Sequence, residues 1–289
     1  MFELHVKPCH REHAEAISEH LEANGALSVA LVDQEDDPIL EPGPGETPLW
    51  RYSIAEALYA NAIDAEAAWQ ALLQDYPKLS HTLKAIPEQD WVRVCLDNMK
   101  PLLFGKNLWI CPSSHTPPEP DAVNIMLDPG LAFGTGTHPT TSLCLTWLDS
   151  ADIQDKKIID YGCGSGILAL AALKLNASLA YAVDLDDQAL IATQNNAEKN
   201  NISNNKLICS KPEVLLTPVD ILLANILLTP LLALESRFEA LLKPSGTLVL
   251  SGVLATQVEQ LLAAYAAPNW THQETQYEDE WALVVFKKN

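Results

Sequence analysis

Three glycines at alternate positions, Gly162, Gly164 and Gly166, follow the short β-branched pair Ile158-Ile159 and the acidic Asp160 in this chain of 289 residues. A glycine turn lets the backbone pass close to a ligand, because no Cβ stands in the way. Ile167, Leu168, Leu170, Ala171 and Leu173 continue as good helix formers, so the turn opens a helix whose first amides face back over the strand. A second apolar run, Leu179 to Val183, ends in Asp184, 22 residues beyond Gly162. An acidic side chain at that offset in a strand-helix-strand unit accepts hydrogen bonds from ribose hydroxyls. Cradle and carboxylate together describe an adenosine site. The spacing is G-x-G-x-G rather than the G-x-G-x-x-G that seats a pyrophosphate, which disfavours NAD as the occupant.

Two further stretches carry candidate chemistry. Asp220-Ile-Leu-Leu-Ala-Asn-Ile-Leu places Asn225 just past the end of a buried strand, where ligands of open α/β sheets bind. Asp128 to Thr141 holds three glycines, two prolines and four threonines, with Phe133 and His138 among them. Thr140 or Thr141 can cap the helix that follows through Leu143, Leu145 and Leu148. The remainder reads as a flap over a ligand.

Composition narrows the partners. Lysine and arginine number 18 against 38 acidic residues, a net charge of -20, which argues against nucleic acid as a directly bound partner and suits a basic one. The excess is concentrated in residues 1–90, with 17 acidic and 5 basic side chains. With 48% hydrophobic residues the chain has room for two cores. No run approaches a membrane span, and Glu3, His5 and Lys7 interrupt any apolar leader, so a cytoplasmic address is expected. The six cysteines, Cys9, Cys95, Cys111, Cys144, Cys163 and Cys209, form no C-x-x-C pair, and the eight histidines no ligand spacing, so neither disulfides nor a metal are expected.

The elements that must position these residues follow from periodicity. Phe2 to Lys7 alternates as a strand, Arg11 to Asn24 carries Ala14, Ile17 and Leu21 at helical spacing, and Leu27 to Val32 is a second strand. A strand within Trp50 to Leu58, a helix capped by Asp64 and a strand over Thr82 to Ile86 complete a βαββαβ order, that of a ferredoxin-like α+β domain over residues 1–90. Residues 91–120 read as a linker with a hairpin in Leu102 to Cys111. Residues 121–289 alternate strands and helices: Val123 to Leu127, the glycine-turn unit, a helix over Asp187 to Asn200, Lys206 to Cys209 and the Asn225 strand. A helix over Leu228 to Leu242, a turn at Gly246, a strand over Leu248 to Ser251, a helix over Gln257 to Ala266 and a closing antiparallel strand over Trp281 to Phe286 follow. That order gives an α/β, doubly wound, Rossmann-like sheet.

The loop from Asp128 to Thr141, the turn from Asp160 to Gly166, and Ala224-Asn225-Ile226-Leu227, in that order behind a small α+β domain, resemble the bacterial ribosomal protein L11 methyltransferases. The glycine turn is shared with class I S-adenosylmethionine-dependent methyltransferases generally, and Asn-Ile-Leu is a variant of the Asn-Pro-Pro-Tyr signature of enzymes that methylate nitrogen. The resemblance implies S-adenosylmethionine as cofactor, with Thr141, Gly162, Asp184 and Asn225 as matching contacts and Asp160, Gly164 and Phe133 beside them. It implies Asn225 as the catalytic residue, accepting hydrogen bonds from a neutral amine and aiming its lone pair at the methyl group. It also gives the acidic domain a use, docking ribosomal protein L11, whose lysine ε-amines and N-terminal α-amine would be the acceptors. An N-methyltransferase of another protein or small amine, a nucleotide-sugar or NAD-binding oxidoreductase and a non-catalytic binding module are the alternatives.

Overall fold

The computed structural model of the chain describes residues 1–35, 39, 47–87, 100–128, 136–214, 217–266 and 268–289. Phe133, most of the expected flap, and residues 91–99 of the expected linker therefore lie outside the described residues. The chain divides into two units, Met1–Asp90 and Trp91–Asn289.

In the first unit β1 (Phe2–His10), α1 (Arg11–Ala23), β2 (Ser28–Asp33), β3 (Tyr52–Tyr59), α2 (Ala62–Asp75) and β4 (Ser80–Ala85) follow in the expected order. The sheet runs β2-β3-β1-β4 with every neighbour antiparallel. The apolar stripe Ala14, Ile17 and Leu21 of α1 is buried against the core with Leu4, Val6, Ala55 and Ala57, because alternation puts those strand residues on one face. The cap of α2 differs from the sequence reading: Asn61, not Asp64, is the N-cap. Its Oδ1 accepts from the Asp64 backbone N–H at 2.9 Å, and its Nδ2 donates to the Asp64 carboxylate at 2.7 Å. Asp64 falls in the first turn, where a carboxylate is favoured by the helix dipole. On the other face of the sheet Glu3, His5 and Glu56 bring three possible ligand atoms within 4.8 Å of one another; His5 Nε2 is hydrogen-bonded to Glu3 Oε2 at 2.7 Å and lies 3.7 Å from Glu56 Oε1.

The second unit begins with a three-stranded sheet, β5 (Leu102–Phe104), β6 (Leu108–Cys111) and β7 (Val123–Met126). The β5-β6 hairpin is antiparallel and β6 pairs in parallel with β7, so the hairpin shares a sheet with the strand that leads to the glycine-rich loop. Asn200 pins β7 from both sides, donating to the Met126 carbonyl and accepting from the Met126 amide, each at 2.8 Å.

The main sheet has seven strands in the order β10-β9-β8-β11-β12-β14-β13. These are β8 (Lys157–Tyr161), β9 (Leu179–Val183), β10 (Leu207–Ser210), β11 (Val219–Asn225), β12 (Leu242–Leu254), β13 (Trp270–Glu278) and β14 (Trp281–Lys288). The first five are parallel and β14 runs against both its neighbours. Strand order reverses between β8 and β11, which makes their carboxyl ends the topological switch point. Alternate residues feed two cores: Ile158, Ile221 and Leu223 face α3 (Pro139–Ser150) and α4 (Ile167–Lys174), while Ile159, Leu222 and Ala224 face the cluster on the opposite side. α4 is buried on all sides from Ile167 to Leu173, as a helix without a polar face must be.

Three elements depart from the sequence reading. The single helix expected over Leu228 to Leu242 is two, α6 (Leu228–Ala233) and α7 (Glu235–Leu241), because Leu234 sits at φ -99°, ψ 2° and breaks the ladder. Gly246 does not turn the chain; it lies inside β12, beside Ser245 at φ 58°, where the pairing with β11 shifts register. β13 was not expected, since Thr271 to Glu274 are polar and exposed. Its place is fixed by Trp270, whose ring packs on Tyr265 and Phe286 with centroids 5.8 and 6.5 Å away.

Candidate active site

A cavity of about 520 Å³ opens at the switch point, a size suited to a small-molecule ligand. Thr141, Asp160, Gly162, Gly164, Asp184 and Asn225 all line it. Thr141 comes from the first turn of α3; the others come from the ends of β9, β8 and β11, which are neighbours, so the glycine turn, Asp184 and Asn225 converge by sheet topology. The turn itself is held by backbone bonds: Gly162 and Cys163 amides both donate to the Val183 carbonyl, at 2.7 and 3.0 Å. Asp184 braces it further, accepting from the Gly164 amide at 2.9 Å through Oδ2 and from the Asp186 amide at 2.9 Å through Oδ1.

Asp160 has a structural task. α4 starts at Gly166, which has a left-handed backbone and offers no side-chain cap. The carboxylate of Asp160 reaches over the turn and accepts from the Ala169 amide at 3.0 Å, satisfying one of the helix's orphan donors. Asp160 is 1% exposed. Burial pushes its carboxyl up to about 7; the Ala169 bond pulls it down and the nearby Asp184 charge pushes it up again.

Asn225 ends β11, and its Nδ2 donates to Thr141 Oγ1 at 3.3 Å. It caps no helix: the N-cap of α6 is Leu227. Nor do Thr140 or Thr141 cap α3. His138 does, its Nδ1 accepting from the Thr140 amide at 3.3 Å, with Pro139 in the first turn where its missing N–H costs nothing. The His138 ring also meets the Trp281 ring edge-on at 4.8 Å, and burial holds its pKa below the ordinary histidine value. Cys163, in the turn, is buried with its thiol raised well above the usual range by desolvation, which leaves no thiolate for nucleophilic work.

Several lining or supporting residues escaped the sequence reading. Leu185, beside Asp184, is 76% exposed at the cavity wall, an apolar side chain that none of the described residues buries. Ile226, Pro212, Pro230 and Leu234 close the remaining walls. Thr193 and Asn196 of α5 (Asp187–Lys199) clamp the turn from outside, donating to the Gly164 carbonyl at 3.1 Å and the Ser165 carbonyl at 2.9 Å. The signal for Thr193 was present: it stands between Ala189 and Ala197 on the buried stripe of α5, and a polar residue there has a specific partner.

The family model for ribosomal protein L11 methyltransferase (PrmA) matches residues 1–289. The chain belongs to this family. The ribosomal protein L11 methyltransferase of Legionella pneumophila (strain Corby) is 51% identical over 285 residues, covering 99% of this chain and 98% of the relative. That of Nitrosococcus oceani is 48% identical over 275 residues, 94% of each chain. A crystal structure of ribosomal protein L11 methylase from Lactobacillus delbrueckii subsp. bulgaricus superposes with a TM-score of 0.61 at 29% identity, covering 66% of this chain and all of that one. Membership makes this chain a methyltransferase dependent on S-adenosylmethionine, with the Rossmann-like sheet of that class, and removes the NAD-binding and non-catalytic alternatives. The cavity fits the cofactor in size, in its carboxylates and in its exposed apolar wall at Leu185. Among the described residues no helix is long and apolar enough to cross a membrane.

Proposed function

We propose that the acceptors are amine nitrogens of ribosomal protein L11, its lysine ε-amines and N-terminal α-amine, and that Asn225 is the residue that receives them. The observation that carries this reading is the placement of Asn225: its amide lines the same cavity as Asp184 and the glycine turn and is the last residue of the strand next to β8. In this reading Asp184 holds the ribose, Gly162 and Gly164 let the backbone approach the methionine part, and Thr141, Asp160 and Phe133 complete the cofactor contacts.

Bound in this cavity, the donor would supply an electrophilic methyl carbon on positively charged sulfur, and the acceptor would have to be a neutral amine with a free lone pair. A lysine amine has a pKa of about 10.4 and is mostly protonated at neutral pH. Asn225 therefore acts by selection and aim. An amide oxygen accepts hydrogen bonds from amine N–H groups without removing a proton, and so orients the lone pair. The apolar walls at Ile226, Pro230 and Leu234 disfavour a charged ammonium and favour the neutral amine.

The N-terminal unit docks the substrate in this reading. Residues 1–90 carry 17 acidic and 5 basic side chains, which suits a basic protein and repels nucleic acid, and the site of action is the cytoplasm. The test is transfer of label from methyl-labelled S-adenosylmethionine into unmodified total ribosomal proteins, resolved by size and mass. A single labelled species with the mass of L11, carrying label on lysine and α-amine nitrogen, is expected. Label on another protein, or on side chains other than amines, overturns the assignment.

A further inference from the structure

Asn225 and Ile226 are held from three directions, by Gly252, Gly162 and Thr141. On one side Gly252, in β12, has φ +82°, and a Cβ there would stand 2.5 Å from the Ile226 carbonyl oxygen and 3.0 Å from the Ile226 nitrogen. No L-residue with a side chain fits without moving that peptide. On another side Gly162, φ +80°, leaves the space that the Ile226 Cγ2 methyl fills. The third hold is the bond from Asn225 Nδ2 to Thr141 Oγ1 at 3.3 Å.

Thr141 is itself fixed. It is 2% exposed and lies in the first turn of α3 behind the His138 cap. Ser251, the partner of Asn225 across the β11-β12 pairing, shares its one hydroxyl hydrogen between the Ala282 carbonyl at 3.0 Å and the Thr140 carbonyl at 3.3 Å. The start of α3, the end of β11 and the middle of β12 are thereby tied at one point. With Nδ2 donating to Thr141 Oγ1, the Asn225 side chain is tethered to the start of α3 and its Oδ1 faces away from Thr141.

We propose that Thr141 and Gly252 are positioning residues of the acceptor site: Thr141 tethers the Asn225 side chain through the Nδ2 bond, and Gly252 lets the Ile226 peptide lie directly against β12. This rests on the reading that Asn225 receives the acceptor amine. It gives Thr141 a task toward the acceptor in addition to any contact with the donor, and it gives Gly252, which does not line the cavity, a reason to be glycine.

The experiment is single-turnover methyl transfer by the full-length protein at saturating S-adenosylmethionine and unmethylated ribosomal protein L11, with S-adenosylhomocysteine affinity measured by calorimetry. Thr141→Val lowers the rate about tenfold, the scale of one neutral hydrogen bond, and Thr141→Ser restores it. In an Asn225→Ala background Thr141→Val causes no further loss, because there is no amide left to tether. Gly252→Ala lowers the rate about 100-fold, the scale of a 1 Å misplacement, while S-adenosylhomocysteine affinity changes less than about threefold. Losses from Thr141→Val and Asn225→Ala that multiply would overturn the proposal and leave Asn225 as acceptor residue intact. So would a folded Gly252→Ala protein with the wild-type rate. Full transfer by Asn225→Ala alone would bring down both this proposal and the reading it rests on. Should Gly252→Ala fail to fold, the Thr141 cycle decides the matter.

Discussion

Asp160 makes the stability of the methyltransferase unit depend on pH in a direction opposite to that of most carboxylates. Its folded pKa, about 7 against an ordinary 3.8, is raised, so folding favours the protonated acid. The stabilising contribution is complete below the unfolded value and is lost as pH rises through about 7. The whole range is worth about 4 kcal/mol, at about 1.36 kcal/mol per pKa unit. The protein's pI of about 4.6 makes the acid end poorly soluble, so the useful window runs from about pH 5.5 to about pH 8.5, across which linkage gives a loss of about 2 kcal/mol. Asp160→Asn removes the titration but keeps an oxygen to accept from the Ala169 amide. Urea melts of both proteins across this window, following the transition that S-adenosylhomocysteine raises, measure the difference. The wild type should lose about 2 kcal/mol more than Asp160→Asn between the two ends. Other carboxylates, such as Asp220 and Asp128, whose bonds to Lys243 and Ser113 outweigh burial and hold them low, titrate equally in both proteins and cancel. Parallel curves for the two proteins would refute the argument, and would mean that Asp160 is ionised in the folded chain throughout.

Two other outcomes follow from the site. Asp184→Asn should weaken S-adenosylhomocysteine binding about 10- to 100-fold in calorimetry, since hydrogen bonds to a charged group contribute about 1.5 to 3 kcal/mol. Unchanged affinity would mean that the carboxylate serves only the Gly164 and Asp186 amides. His138→Ala should cost about 1 kcal/mol in a urea melt at neutral pH, as loss of a helix cap does. Because burial depresses the His138 pKa, its contribution is present above the unfolded value and is lost as pH falls, so the penalty should shrink toward acid; a penalty independent of pH would count against the neutral-ring cap.

That Gly162, Gly164 and Asp184 share one cavity was legible in the sequence because these parts are local. A strand, a glycine turn and a helix are consecutive, and the acidic residue ends the next strand, so spacing alone places Gly162, Gly164 and Asp184 at one edge of a parallel sheet. Asn225 was legible for the same reason, as the end of a buried strand. The ferredoxin-like order of the first unit came from alternation and the stripe Ala14, Ile17 and Leu21. What only the tertiary structure decided was anything set by a partner distant in sequence. Asp160 as a cap for α4 depends on the turn folding back over the strand end, and Thr193 and Asn196 reach the turn only because α5 packs across it. His138 rather than Thr140 or Thr141 starts α3 because the backbone enters the helix two or three residues earlier than hydroxyl preference suggests. β13 has too little apolar alternation to announce itself, and exists because β14 offers it an unpaired edge and Trp270 a place beside Phe286. The bond between Thr141 and Asn225 spans 84 residues and joins a helix start to a strand end. Periodicity predicts elements; the closure of a cavity is decided by which elements the sheet order makes neighbours.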